Sequence, residues 1–313
     1  MVLLIFRRLS ITIPLVLVLT FAVFALIALE PGDPALALAG PNPDPVRIAY
    51  LRQQLNLNDS MPVRWLKWLD GVVHGNLGHS LSTQEPVTHL VFSRLTVTLS
   101  LLLVAFLIAF LIAFTFGILG ALRPRGIIDR IVTTLCSITL AVPPFWIAIL
   151  LVAAFAVTHH WFPAVGYSPL GDGFWSWLHR LILPGISLSL FIAGELTLQL
   201  KGAMTEVLAR DYILVAEAKG LSRSKVMFKH ALKNAGASVA TVTGLRVAGL
   251  IGGTATIETV FALNGIGTLA VGATLDRDVP VMLGILIVTC VMIQVVNLVV
   301  DIIYGYLNPK VRT

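Results

Sequence analysis

The chain has 313 residues, 57% of them apolar and only 12% charged, with a mean hydropathy of +0.90. Soluble domains carry about 25% charged residues, so this composition excludes a soluble globular protein and predicts an integral membrane protein. The net charge of +6 invites a nucleic-acid reading, but the basic residues cluster between apolar runs on alternate sides, which is membrane topology and argues for no nucleic-acid partner.

Six apolar runs, at 9–29, 95–122, 131–157, 181–200, 237–263 and 279–307, each approach or exceed the roughly 20 residues a helix needs to cross hydrocarbon. None alternates like a barrel strand. The expected fold is therefore all-α, a polytopic membrane protein with six transmembrane helices. With the N-terminus in the cytoplasm, Arg7, Arg8, Arg123, Arg125, Arg130, the basic residues from Lys201 to Lys233, Lys310 and Arg312 all fall inside. Fewer fall in the longer outside segments, so the positive-inside rule places both termini in the cytoplasm of a multi-pass plasma (inner) membrane protein. Cys136 and Cys290 lie within apolar runs and are expected to be small buried hydrophobes.

Three regions are expected: 1–30, a first transmembrane helix with a cytoplasmic N-terminus; 31–94, an extracytoplasmic segment with short helices; and 95–313, a five-helix core that includes a cytoplasmic loop at 203–235. Arg7-Arg8 before an apolar run resembles a secretory signal, with Ala37-Leu38-Ala39 as a cleavage site. The run is too long for a signal and the site too far beyond it, so the first span is expected to be retained. The segment 31–94 is too long for a simple connection. Pro45 to Leu55 is helix-like, and Trp65, Trp68 and Val72 predict a second short helix with its indoles at headgroup depth, ended by Gly75-Asn76-Leu77-Gly78. Pro143-Pro144 removes two backbone donors and predicts a kink in span three. The loop 159–179 holds three histidines, but neighbouring His159 and His160 point apart and no further ligand follows at metal spacing.

Between spans four and five lies a basic island, 211–235. Leu208, Tyr212, Val215 and Lys219 recur at helical spacing, Gly220 suits a left-handed C-cap, and Ser222 can N-cap a second short helix carrying Val226, Ala231 and Leu232. The predicted shape is a helix, glycine, helix elbow. It is either a basic loop that sets topology or a docking elbow for a soluble partner. Span five carries Gly244, Gly249, Gly252 and Gly253, which permit close backbone approach, and Arg246 at membrane depth. Arg246 is expected to pair with Glu195 on span four, at the edge of a translocation path or as a structural ion pair. Glu258 and Asn297 are further intramembrane polar candidates, beside Gly249 and Gly253.

Taken together, Asp211-Tyr212-Ile213, Ala216-Glu217-Ala218-Lys219-Gly220-Leu221 and Phe228 to Ala235 resemble the cytoplasmic coupling loop of ABC importer permeases of the dipeptide, oligopeptide and nickel class. The likeness covers nearly the whole chain. It includes Pro31-Gly32-Asp33-Pro34, Leu55-Asn56-Leu57, Gly75 to Gly78, Leu183-Pro184, Glu258 to Phe261 with Gly265-Ile266-Gly267, Asn297 to Asp301 and Leu307 to Arg312. Departures are Leu214 and Val215 in place of the loop pattern's Glu-Ala, Asn76 and Asn308 where Asp is common, Gln199 and Lys201 where Arg is common, no proline near Val239, and Arg246 itself.

The resemblance implies the type I importer permease fold. It also implies a coupling loop of Asp211, Tyr212, Ala216, Glu217, Ala218, Gly220, Leu221, Arg223, Phe228 and His230, seated in an ATPase groove. The implied partners are a second homologous permease subunit forming a heterodimer, two ABC ATPase subunits and an extracytoplasmic substrate-binding protein, all at the lipid bilayer. No cofactor is expected on this chain, with ATP and Mg used by the ATPase partners. No G-x-x-x-x-G-K-[ST] loop occurs in the sequence, in agreement with that division of labour. Short peptides are the expected cargo and nickel the alternative. An ATP-independent secondary transporter, the alternative from a different class, would show inverted repeats and titratable residues for ion coupling; no convincing repeat is present, and Glu195, Arg246, Glu258 and Asp301 are the candidates. An intramembrane enzyme would show a nucleophile and base within a span, and no Ser/His or His/Glu pair at helical spacing occurs there.

Overall fold

The computed structural model describes residues 2–29, 35–36, 44–54 and 56–307. Among the described residues twelve α-helices follow in order: α1 Val2–Leu29, α2 Pro45–Gln54, α3 Met61–Val73, α4 Val87–Leu122, α5 Ile127–Ala141, α6 Pro144–Leu151, α7 Phe174–Leu208, α8 Asp211–Ala218, α9 Arg223–Lys225, α10 Leu232–Val260, α11 Ile266–Leu275 and α12 Val279–Leu307. The described residues contain no strand, as an all-α membrane fold requires. The motifs at 31–34 and 308–312, and Leu55, lie outside the described residues.

Six spans are not matched one for one. Among the described residues α4, α7 and residues Val279–Ile302 of α12 qualify as membrane-crossing helices by length and apolar content, and α5 with α6, bent by 100° at the break, counts as a fourth when the pair is taken as one span. The apolar stretches Ser10–Leu26 of α1 and Ile266–Leu275 are shorter. Helix α10 has the length, but glycine, threonine and Arg246 dilute its apolar character. Span three is more than kinked. Val142 precedes Pro143 and Pro143 precedes Pro144, so both are driven to extended backbone, with ψ of 128° and 138°. The helix stops and restarts.

The chain divides into two compact units. The first comprises Met1–Leu95 and Leu269–Gln294. In it α3 packs along α1: Trp65 meets Phe21 edge-on at 5.3 Å and donates its indole N–H to Thr20 Oγ1 at 3.1 Å, while Trp68 lies 5.8 Å from Phe24. The two indoles thus pack on the first helix, beyond the interfacial anchoring expected of them. Gly75 and Gly78, both at positive φ, close α3, and the Asn76 Oδ1 accepts the Gly78 N–H at 2.9 Å. Aspartate would accept that bond equally well, so the Asn76 departure costs the turn nothing. The loop that follows is tied down by buried Asp278, whose Oδ2 accepts Ser80 Oγ at 2.5 Å, Leu81 N at 3.0 Å and Ser82 Oγ at 3.0 Å.

The second unit comprises Thr96–Thr268 and Val295–Thr313, and α7 is its axis. This helix packs against α5, α6 and α10 and is the most buried of the candidate spans. Close packing on α5 depends on Gly194, where a β-carbon would collide with Thr139 Oγ1 and approach Cys136 O to 3.2 Å. A larger residue there must push α5 and α7 apart.

Candidate functional site

The elbow forms, with corrections. Helix α8 ends in a Schellman motif: Gly220 adopts φ +79°, and the Leu221 N–H reaches back to the Ala216 carbonyl at 3.3 Å. A β-carbon at Gly220 meets nothing within 4 Å, so the glycine is required by backbone conformation alone. Leu221 supplies the apolar contact that accompanies this motif by packing on a small core of Ile213, Ala216 and Val226, closed by Leu208.

The inward stripe is therefore Leu208, Ile213 and Ala216, and Tyr212 and Val215 face outward. The predicted stripe carried one helical period across Ala209-Arg210. The chain turns there, α7 ending at Leu208 and α8 starting at Asp211, so the register resets. A second correction concerns the other arm. Arg223–Lys225 and the π-helical turn Val226–Ala231 run directly into α10, so the arm is the foot of the fifth long helix and not a separate short one. The elbow is thus continuous with α10 on one side and joined to α7 by a two-residue turn on the other.

Two bonds brace the elbow. Asn234 Nδ2 donates to Tyr212 Oη at 3.1 Å and to the His230 carbonyl at 2.7 Å, linking α8 to the start of α10. Arg210 pairs with Glu206 at 2.7 Å on the exposed surface. Tyr212, Leu214, Val215 and Phe228 are all exposed, the last three by more than half. Asp211 and Ala218 are exposed and His230 is half-buried, while Glu217 and Arg223 take their places in α8 and α9. Four large apolar side chains in water, on a segment otherwise basic, form a surface that a partner can cover.

One member of this region was legible only as an oddity. Lys201, in α7 two turns before the elbow, donates to Asp129 Oδ1 at 2.6 Å and to Thr133 Oγ1 at 2.7 Å, both on α5. Asp129 also accepts the Arg125 N–H at 2.7 Å, and the ion pair is about four-fifths buried. It fastens α7 to α5 just above the elbow. The signal available in the sequence was Asp129 in the first turn of a helix beside a lone lysine at the end of an apolar run, which gives no pairing by itself.

Deeper in the bundle, Arg246 on α10 donates Nε to Glu195 Oε1 on α7 at 2.8 Å, and Nη2 bonds the same oxygen. The expected pair is formed. Glu195 Oε2 is buried with no hydrogen-bond partner, whereas the Arg246 side chain is half exposed. The glycines beside it differ. Gly244 packs tightly on Val300 and lies near Asn297 Oδ1, and Gly253 makes ordinary contact with Leu188, but Gly249 and Gly252 meet nothing within 4 Å. Close approach within this chain thus explains only part of the glycine pattern.

Glu258 is held by the fold itself. It is fully buried, and its carboxylate accepts Thr98 Oγ1 at 2.7 Å and the Thr268 N–H at 2.9 Å. Thr98 Oγ1 in turn accepts the Ile266 N–H at 2.8 Å. The acid therefore caps the N-terminus of α11, where backbone donors and the helix dipole favour an anion. Gly265 is glycine because any β-carbon would strike this carboxylate. Glu258 ties α4 to the start of α11, and among the described residues it forms no ion pair.

Comparison with known proteins agrees with this architecture. Residues 113–313 match the family described as the binding-protein-dependent transport system inner membrane component, and residues 1–102 match the corresponding N-terminal family. The probable peptide ABC transporter permease protein y4tP of Sinorhizobium fredii is 38% identical over 98% of both chains. The oligopeptide transport system permease protein AppB of Bacillus subtilis is 35% identical, again over 98% of each. The glutathione transport system permease protein GsiC of Salmonella paratyphi A is 34% identical over 98% of this chain and 97% of its own. Among solved structures, the inward-facing MetNI methionine ABC transporter shares the fold, with a TM-score of 0.55 at 17% identity over 68% of this chain and 93% of that one. Helical spans, a capped elbow and full-length likeness converge: the chain belongs to the inner membrane components of binding-protein-dependent transport systems, a multi-pass permease and not an enzyme, working with an ATPase and a substrate-binding protein.

Proposed function

We propose that this chain is one of two homologous permease subunits that form the path of an ATP-driven importer for short peptides, with both termini in the cytoplasm. Two ABC ATPase subunits lie on the inner side and the binding protein outside. This chain holds no cofactor, and ATP and Mg act on the ATPase partners. The observation that carries the reading is the elbow: a rigid, glycine-capped corner whose interior is packed and whose exterior presents Tyr212, Leu214, Val215 and Phe228. The relatives named for peptides and glutathione support the cargo.

Mechanically, closure of the ATPase dimer displaces the elbow. Because α8 is joined to α7 and the π-helical turn leads into α10, the displacement reaches both long helices together. The Lys201–Asp129 pair carries it on to α5 and so to the break at Pro143-Pro144. The Glu195–Arg246 pair, with its unpartnered oxygen and the open glycines beside it, faces the path. A two-state bundle of this kind links nucleotide state to site access reciprocally. The test is transport by the complete complex in proteoliposomes, with di- and tripeptides and with ATP inside or absent. ATP-dependent peptide uptake is expected. Uptake without ATP, or assembly of a transporting complex that lacks an ATPase subunit, contradicts the reading.

A further inference from the structure

The loop between α6 and α7 builds a second site, away from the elbow and the ion pair. Helix α6 ends in a π-helical turn, Val152–Thr158, and the chain folds back so that the Trp161 and Phe162 N–H groups both reach the Phe155 carbonyl, at 2.9 and 3.3 Å. His160 sits at φ +56° and Gly166 at +93°, and the Gly166 N–H is anchored on the Phe261 carbonyl at 2.9 Å. The fold-back leaves an open cavity of about 450 Å³, with His160, Trp161 and Phe162 on one wall and Ser176, His179 and Arg180 of α7 on the other. That size is within the range of small-ligand sites, roughly 300–1,000 Å³, and larger than an ion requires.

The lining has one sign. Arg180 is its only formally charged residue, and no acidic side chain lines the cavity. Arg180 spends one donor, Nη1, on the Val165 carbonyl at 3.1 Å, and no carboxylate among the described residues lies within ion-pairing distance of it. The remaining donors of its fork are free to meet an anion. His179 is oriented by a 2.8 Å bond to the Trp161 carbonyl and by its ring contact with Phe162 at 4.9 Å. A β-carbon on Gly166 would come within 3.2 Å of Arg180 Nη1, so the glycine leaves the guanidinium its place.

We propose that this cavity binds the free C-terminal carboxylate of a short peptide, Arg180 holding the carboxylate as a bidentate pair and Trp161 and Phe162 covering the adjoining residue. A planar guanidinium matches a carboxylate with two parallel bonds, and aromatic faces accept a peptide side chain of any type. The site deepens the peptide reading by naming the end of the cargo that is recognised, and it rests on that reading.

The test uses the complete complex in detergent and a tripeptide carrying a diazirine-bearing leucine, as the free acid and as the C-terminal amide. Labelling is mapped by mass spectrometry. The free acid should label residues within 156–180 saturably, and the amide at least about tenfold less. Arg180→Gln should bring the free acid down to the amide's level, and Arg180→Lys should restore part of it. Equal labelling by acid and amide overturns the proposal, as does labelling that Arg180→Gln leaves unchanged. If Arg180→Gln does not assemble, Ser176→Trp fills the cavity without touching the Arg180–Val165 bond; loss of labelling then supports the site and retained labelling overturns it. Displacement of the probe by phosphatidylglycerol micelles but not by unlabelled tripeptide makes the site a lipid site and also overturns it. Peptide uptake measured in parallel separates the two readings. Uptake with labelling independent of Arg180 defeats this inference alone, whereas no uptake of any peptide defeats the cargo assignment itself.

Discussion

Two carboxylates in the second unit of this chain have opposite surroundings. Glu258 is sealed: both oxygens are engaged, one by Thr98 and one by the Thr268 amide, and the helix it caps supplies the compensating dipole. Glu195 is open: one oxygen takes both bonds from Arg246, the other has no partner, and the arginine is half exposed. An acid whose every acceptor is filled by the fold holds parts together. An acid left with an unfilled acceptor beside an exposed cation keeps hydrogen-bonding capacity that its own fold does not use, and an unpaired buried acceptor costs about 1–3 kcal/mol.

The contrast can be broken by substitution, and the largest effect belongs to the sealed site. Glu258→Ala leaves the Thr98 hydroxyl and the Thr268 N–H without acceptors and opens a void, a loss of about 3–5 kcal/mol. The expected result is little or no folded protein, read from yield and thermal aggregation in detergent; normal yield and stability would return Glu258 to the list of path residues. Next comes Lys201→Met, which strands Asp129 in a mostly buried position at about 1–3 kcal/mol. Lys201→Arg should recover most of it in the same assay, because the charge and donors are kept. Third is Gly220→Val. A β-branched residue at φ +79° costs about 1–2 kcal/mol locally, so the protein should insert and assemble, while ATP hydrolysis continues with uptake lowered at least about tenfold. The smallest stability effect belongs to the open site. Glu195→Gln removes a half-solvated pair and should shift stability by less than about 1 kcal/mol, yet change the rate or selectivity of peptide uptake. A Glu195 variant that unfolds like the Glu258 variant would erase the distinction.

What the sequence made legible follows from the range of the interactions. The all-α membrane class, the elbow and Gly220 are local: apolar length, a cap and a turn residue sit within a few positions of each other. The Glu195–Arg246 pair was also reachable, since two opposite charges at matching depth in apolar helices must find one another. Three features were not. Glu258 looks like any intramembrane acid until Thr98, 160 positions earlier, is seen to donate to it. Lys201–Asp129 and the Asp278 anchor for Ser80 and Ser82 are likewise contacts over 72 and nearly 200 positions. The inward face of α8 was misassigned because a two-residue turn after Leu208 reset the helical phase, which periodicity alone does not register. The Pro-Pro step announced a disturbance, but the 100° angle comes from two successive residues each placed before a proline.

Tyr212, Leu214, Val215 and Phe228 carry the central claim, that the elbow passes work from a separate nucleotide-driven motor to the bundle. Phe228→Cys in a chain with Cys136 and Cys290 replaced, alkylated with a maleimide carrying a benzophenone and irradiated in the intact complex, tests it directly. The account predicts a cross-link to an ATPase subunit whose yield changes between ATP-bound and nucleotide-free states. A thiol at position 228 that stays freely reactive to water-soluble reagents in both states, with the complex assembled, would contradict it.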